Sequence, residues 1–455
     1  MLAAPVLCSL TPPEHNLKVF DENIETIDFE WPADIVGITV RTMFANRAYA
    51  ISKQYREKGT TTVMGGIHPS MCPDEALEHC DVVVQGEAES TWPRLLKDFE
   101  NNMLKRRYRA NCKVELGDQT APDLSKLTHT KYFADIIQTS KGCPFDCEFC
   151  SVTAFDGRSL RHKDVSQVVS EIEAVLGGEN HYKKKSIFFA DDNIIADRDY
   201  AKRLFTALGP YNLNWSCQGS INISEDPELL ALMKNAGCGA ILIGLESISS
   251  KNLQAMGKNI NLRHDYLKAI KAIQSHGIMV HGSFILGYDF DNLESFDELI
   301  DFINEANLLM PLINILTPLP GTKLYRRLEG EGRLLHHNWD DYDGQTVVFR
   351  PMGMSAIDLQ AGYRKVVQNV YSFERIYRCL ARYWVKDFWN NSNLKDPIKL
   401  RYRVLFALRL ISLVPTSNSQ RMQFIFKILP RIFRKRVRIS TVITMMAYNQ
   451  YASRV

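Results

Sequence analysis

Lys141-Gly142-Cys143-Pro144-Phe145-Asp146-Cys147-Glu148-Phe149-Cys150 sets three cysteines at spacings of four and three residues. A structural zinc takes four ligands, usually as two closely spaced pairs, so this triplet does not close a tetrahedral site unaided. Three thiolates can instead hold three irons of a cubane and leave the fourth iron open. An open iron can bind and reduce a ligand, which points to chemistry rather than electron storage alone. The plain alternative is three thiols that happen to fall close together; the tight Gly-Cys-Pro and Phe-Cys frame argues against it.

Around this stretch the chain alternates strands and helices. Candidate strands are Asp135–Gln138, Ser186–Ala190, Leu213–Cys217, Ala240–Gly244, Val280–Leu286 and Leu312–Leu316. Helical patterns at Asp164–Leu176, Arg198–Leu208, Pro227–Ala236, Leu262–His276 and Leu293–Ala306 lie between them. Six such units over residues 131–350 predict a parallel barrel short of the usual eight, a partial (β/α)6 TIM barrel. The cysteine loop follows its first strand and so sits at the C-terminal mouth, where active sites on this architecture lie.

Other residues reach the same mouth. Asp191 and Asp192 end the second strand, where a carboxylate could meet a ligand or simply cap a helix. Gln218 lies just beyond the third strand and serves either a ligand or a solvated strand end. Glu246, in Gly244-Leu245-Glu246-Ser247, could meet a ligand or make a structural salt bridge. His281-Gly-Ser-Phe-Ile-Leu-Gly287 offers close backbone approach, and Thr317-Pro-Leu-Pro-Gly-Thr-Lys-Leu-Tyr325 reads as a rigid loop because prolines bar a central strand or helix interior. His68, His162, His264 and His281 read as structural or solvated, with no partner to name. Cys112, Cys217, Cys238 and Cys379 lack metal spacing and read as core or surface thiols, and no residue stands out as a substrate acid, base or hydrogen donor.

Residues 1–110 carry a second α/β pattern. Leu17–Phe20, Ile35–Val40, Thr61–Met64 and Val82–Val84 read as strands, with helices over Thr42–Lys58 and Asp74–His79. Alternation of this kind predicts a doubly wound, Rossmann-like parallel sheet whose ligands sit at the carboxyl ends of the strands. Gly65-Gly66 is a candidate ligand contact or a tight strand-to-helix turn. Asn111–Thr130 is polar and reads as a linker.

Over residues 131–350 the Cys-x3-Cys-x2-Cys loop, the acidic end of the second strand and the Gly-x-Glu-Ser piece resemble the radical S-adenosylmethionine (SAM) family. The resemblance implies a [4Fe–4S] cluster on Cys143, Cys147 and Cys150, with the amino and carboxylate groups of SAM on its open iron. SAM contacts are implied at Asp191 or Asp192, Gln218 and Glu246, with a 5′-deoxyadenosyl radical as the product of SAM cleavage. The pieces DIVGITV, GGIHPS and VVVQGEAES resemble the cobalamin-binding domain fused to many of these enzymes. That likeness implies cobalamin contacts at Thr42, Gly65, Gly66, Gly86 and Glu87. The usual Asp-x-His-x-x-Gly signature is missing, as it is from many fused members. Such domains open with a strand ahead of the segment matching Leu2–Leu10. Met1 falls where the first helix should already be running, so either the sheet lacks its first strand, uncovering a neighbouring edge and part of the cleft, or the start codon lies further upstream.

Ten cysteines, three of them in one motif, suit a reducing, cytoplasmic setting, and no run of about eighteen apolar residues predicts a transmembrane helix. Residues 351–455 read as helical. From Lys395 to Val455 there are thirteen Lys or Arg against one acid, interleaved with large apolar residues. That composition suits peripheral contact with an anionic membrane or a solvated helical face, and nucleic acid is not expected because no groove-reading motif accompanies the charge. The expectation is a cobalamin-dependent radical SAM methyltransferase acting on an unactivated carbon of a small molecule or lipid, fed by a flavodoxin- or ferredoxin-like donor. In that scheme one SAM methylates cobalamin and a second supplies the radical. Cyclisation or oxidation without methyl transfer is the alternative enzyme, and a non-catalytic iron–sulfur electron-transfer or binding protein the alternative of another class.

Overall fold

In the computed structural model, residues 2–110, 113–117, 119–126, 132, 134–177, 186–385, 419–433, 446–447 and 449–452 are described. The chain forms two compact units, Met1–Asp192 with Thr317–Arg350, and Asn193–Leu316 with Pro351–Val455.

In the first unit, β1 (Ile35–Thr39), β2 (Thr61–Gly65), β3 (Val82–Gln85) and β4 (Arg107–Arg109) form a parallel sheet in that order. Side chains alternate across a strand, and this divides the core in two. Val63, Val82 and Val84 pack with Trp92, Leu95 and Tyr108 on one face, while Met64 and Val83 pack with Tyr49, Leu77 and Trp339 on the other. β4 escaped prediction because its pattern is only Arg-Tyr-Arg, with Tyr108 fully buried between exposed arginines. Leu17–Phe20 is not a strand, contrary to expectation: among the described residues no strand pairs with it, and an extended run without a neighbour gains no ladder. The described sheet begins at Ile35, and β1 is less buried than β2.

The same unit holds β5 (Ala134–Ile137), the short antiparallel pair β6 (Ser140–Lys141) and β7 (Arg161–His162), and β8 (Ser186–Phe189), which runs parallel to β5. The second unit carries β9 (Trp215–Gly219), β10 (Cys238–Glu246), β11 (Met279–Leu286) and β12 (Leu312–Ile315), each parallel to its neighbour and separated by helices. β5, β8 and β9–β12 are the strands of a parallel half-barrel. Helix starts are set by side-chain caps: Asp226 accepts from the Leu229 N–H, Asp265 from Lys268 and Thr322 from Tyr325. That last cap starts the helix Lys323–Gly330, so the segment expected to be a rigid loop through Tyr325 becomes helical at Lys323. Helices Ala356–Val370, Phe373–Val385 and Ser419–Phe433 represent the C-terminal region. Cys112, residues 395–418 and residues 434–445, with most of the basic run, lie outside the described residues. Among those described, no helix is long and apolar enough to cross a membrane.

Candidate active site

The cysteine loop hangs from the β6–β7 pair. Gly142 has φ +89°, and a Cβ there would strike the Ser159 carbonyl, so this turn into Cys143 needs glycine. The Cys143 N–H donates to the Gly157 carbonyl at 3.3 Å and the Cys150 N–H to the Cys147 carbonyl at 3.1 Å. Cys147 is buried, whereas Cys143 and Cys150 are half-buried. The helix at Lys323–Gly330 braces the loop from outside. Leu324 donates its N–H to the Glu148 carbonyl at 2.9 Å, Arg327 reaches the Glu148 carboxylate at 2.6 Å, and Lys323 reaches Asp146 at 2.6 Å.

Asp191 and Asp192 have separate tasks. Asp191 is fully buried and accepts from the Thr139 hydroxyl at 2.7 Å, the Ser140 hydroxyl at 2.5 Å and the Thr139 N–H at 3.2 Å. Burial pushes its carboxyl up, and these donors oppose the shift. Its oxygens fasten the end of β8 to the approach to the cysteine loop. Asp192 is half-buried, and its carboxyl is raised to about 6 by burial and by the charge of Asp156, with the Gly142 N–H acting the other way. That contact puts Asp192 beside the residue preceding Cys143.

Glu246 and Gln218 belong to the second unit. Glu246 sits at a register shift in β10 with φ +64°, a conformation that costs a side-chain-bearing residue on the order of 1–2 kcal/mol. Tyr266 holds the strained turn by donating to the Leu245 carbonyl at 2.8 Å, and Asn261 by donating to Gly244 at 3.0 Å. The carboxylate is buried and raised by that burial, with Lys258 Nζ 3.4 Å away opposing it. A salt bridge and a strained backbone thus coincide at one residue. Gln218 lies near the end of β9 opposite Leu242, half-buried. His281 Nδ1 donates to the Met310 carbonyl at 3.0 Å. Cys217, Cys238 and Cys379 are buried thiols.

The residues expected around cobalamin gather at the carboxyl ends of β1–β3. Thr42 is buried in a short turn after β1. Gly65 ends β2, and Gly66 has φ +98°, with a Cβ there meeting the Val40 carbonyl at 3.0 Å. Gly86 has φ +82°, and its N–H donates to Ser70 Oγ at 2.9 Å, which in turn donates to the Gly66 carbonyl at 2.7 Å. This glycine-lined rim suits close approach of a large planar ligand. Glu87 differs, since its carboxylate is turned to Arg161.

Beside the rim, His68 is more than a solitary structural histidine. It is fully buried, with Nε2 2.9 Å from the Tyr49 hydroxyl, and Tyr49 donates to Glu75 at 3.0 Å. Trp339 Nε1 donates to the same carboxylate oxygen at 2.6 Å. His68, Cys72 and Glu75 bring ligand atoms within 4.8 Å of one another, and Cys72 and Glu75 line a pocket of about 460 Å³. The four- and three-residue spacing of these side chains was the available signal; Tyr49 and Trp339 carried none.

The B12 binding domain family matches residues 11–96, the radical SAM superfamily residues 137–303, and a domain of unknown function residues 322–453. The fold and the loop therefore define a radical SAM enzyme joined to a cobalamin-binding domain. The bacteriochlorophyllide d C-8(2)-methyltransferase of Chlorobaculum tepidum is 32% identical over 390 residues, covering 82% of this chain and 86% of that protein. The C-12(1)-methyltransferase of the same organism is 32% identical, covering 76% of each. A solved structure of the radical SAM methyltransferase TsrM from Kitasatospora setae, with cobalamin and a [4Fe–4S] cluster bound, superposes with a TM-score of 0.59 at 14% identity, over 90% of this chain and 89% of that one. The chain belongs to the cobalamin-dependent radical SAM methyltransferase family, whose cofactors are a [4Fe–4S] cluster, SAM and cobalamin.

Proposed function

We propose that this chain methylates an unactivated carbon of a small-molecule substrate. The observation that carries this reading is the presence, in one compact unit, of a three-cysteine loop and a glycine-lined parallel-sheet rim. When bound, the cluster supplies the electron that cleaves SAM, and cobalamin supplies the methyl group. Cys143, Cys147 and Cys150 would hold the cluster. Asp192 accepts hydrogen bonds from the SAM ammonium, being the acid beside Gly142, while Asp191 keeps that strand end in place. Glu246 receives the ribose hydroxyls with Gln218 nearby in sequence order of the strands. Thr42, Gly65, Gly66 and Gly86 line cobalamin.

The substrate is a small molecule or lipid, and the thirteen cations after residue 394 favour one presented at an anionic membrane surface. A flavodoxin- or ferredoxin-like protein provides the electron. The test is anaerobic reconstitution with SAM, reductant and methylcobalamin. The expected result is 5′-deoxyadenosine from a chain that retains cobalamin; its absence sinks the radical reading, and its formation by a chain that holds no cobalamin favours cyclisation or oxidation. Liposome binding that survives deletion of residues 395–455 removes the membrane clause.

A further inference from the structure

A buried charge network joins the cobalamin rim to the cysteine loop. Glu87 follows Gly86 at the end of β3, and its side chain is 2% exposed; that of Arg161, in β7, is 6% exposed. Arg161 Nη1 donates to Glu87 Oε2 at 3.0 Å and to the Val114 carbonyl at 2.7 Å, and Nη2 lies 2.7 Å from Glu87 Oε1. The Val114 N–H donates to Glu87 Oε2 at 2.8 Å. Lys141, the ladder partner of Arg161, donates to Glu89 at 2.6 Å and lies 3.7 Å from Glu87. Burial alone would raise the Glu87 carboxyl, but Arg161, the Val114 N–H and Lys141 outweigh it and hold it below the usual range.

A buried ion pair is a poor source of stability, because desolvation costs several kcal/mol per ion and apolar side chains of similar volume often serve as well. What a planar guanidinium on a carboxylate does supply is a single geometry between the elements that carry them. Here those elements are the last turn of the cobalamin rim and the hairpin that enters Cys143 two residues after Lys141. Neither acid nor either base is needed to ligate the cluster.

We propose that Glu87, Arg161, Lys141 and Glu89 form a latch that sets the cysteine loop against the cobalamin sheet and so fixes the spacing between the two cofactors. The inference rests on the cobalamin-dependent reading above and replaces the expectation that Glu87 is itself a cobalamin contact. Glu87 and Arg161 are positioning residues in this account.

The test reads that spacing without any substrate. Full-length chain with reconstituted cluster and bound cob(II)alamin is followed by microwave-power saturation of the cobalt electron paramagnetic resonance signal, with the cluster oxidised and then reduced. A reduced cluster relaxes the cobalt spin by an amount set by their separation. In the wild type a single, uniform enhancement is expected. The Glu87→Gln/Arg161→Met double variant removes both charges and strands neither. It should retain iron and cobalamin but lose the uniform enhancement, and Arg161→Lys, which keeps the charge without the planar guanidinium that reaches both Glu87 and the Val114 carbonyl, should lose part of it. A double variant that relaxes like the wild type overturns the latch. So does one that loses iron, cobalamin and its circular-dichroism signal together, since the network is then support for the fold. A wild-type chain that retains no cobalamin overturns the latch together with the reading beneath it, and the visible spectrum shows this before any spin measurement.

Discussion

Cys143, Cys147 and Cys150 come from eight consecutive residues, whereas the Glu75–Trp339 contact at the edge of the glycine-lined rim closes over 264 residues of sequence. Both lie in the same compact unit. The first is a local device, in which a glycine turn, a proline and a short helix place three thiols and the helix Lys323–Gly330 only braces the loop from outside. The second exists only once the Thr317–Arg350 segment has packed on β1–β3. A local site fails through its ligands or its turn. An assembled one fails through its packing, and more gradually.

The contrast is tested most severely at the ligands. Cys147→Ser should abolish iron loading, from about four irons per chain to almost none, and with it all 5′-deoxyadenosine formation, while the circular-dichroism spectrum stays unchanged. Retention of half the iron would show that a ligand outside the loop can stand in for a cysteine. Gly142→Ala should come next. It forces a Cβ into the Ser159 carbonyl at φ +89° and should cut cluster occupancy sharply without touching a thiol. Normal iron content in that variant would mean the turn relaxes and the loop is less tightly built than its backbone indicates.

Legibility followed the same division. The cluster loop, the half-barrel rhythm and the glycine rim were readable because each depends on neighbours in sequence: spacing, period and turn chemistry. Lys258, Asn261 and Tyr266 around Glu246 were not, since they answer to a strained φ that no local pattern announces. Asp191 and Asp192 were found together but could not be told apart, because adjacent residues on a strand end differ only in which way the fold turns them. The strand expected at Leu17–Phe20 had the right composition but no neighbour to pair with. Arg161, the partner of Glu87, sits 74 residues away and was invisible for the same reason as Trp339.

Asp192 gives the intermediate effect. On the proposed contact with the SAM ammonium, Asp192→Asn removes a charge-assisted hydrogen bond worth roughly 1.5–3 kcal/mol, so SAM affinity should fall by about ten- to a hundredfold. The sign of its pH dependence follows from the raised carboxyl. Because Asp192 holds its proton up to about 6, SAM binding should weaken as pH falls through that value and strengthen above it, and the Asn variant should lose this contribution. The ligand-free chain behaves oppositely: the folded state binds this proton more tightly than the unfolded one, so stability declines as pH rises from the ordinary carboxylate range towards 6. Asp191→Asn, by contrast, should disturb cluster loading through Thr139 and Ser140. Equal loss of SAM affinity with intact iron in both variants would refute the division of labour between the two acids.

The smallest effect is expected at the assembled site. Trp339→Phe keeps the ring that packs against His68 and Tyr342 but withdraws the indole N–H from Glu75, which retains the Tyr49 hydroxyl as a donor. One neutral donor to a carboxylate that keeps another should cost about 1 kcal/mol of unfolding free energy, read as a shift in denaturation midpoint. Iron content should be untouched, because Trp339 is tied to Glu75, His68, His337 and Tyr342 on the rim side, while cobalamin affinity should fall modestly through Tyr49 and His68 beside the rim. If iron content drops in step with stability, the local and assembled regions unfold as one, and the helix Lys323–Gly330, which touches Glu148 on one side and continues the segment bearing Trp339 on the other, is the element that joins them.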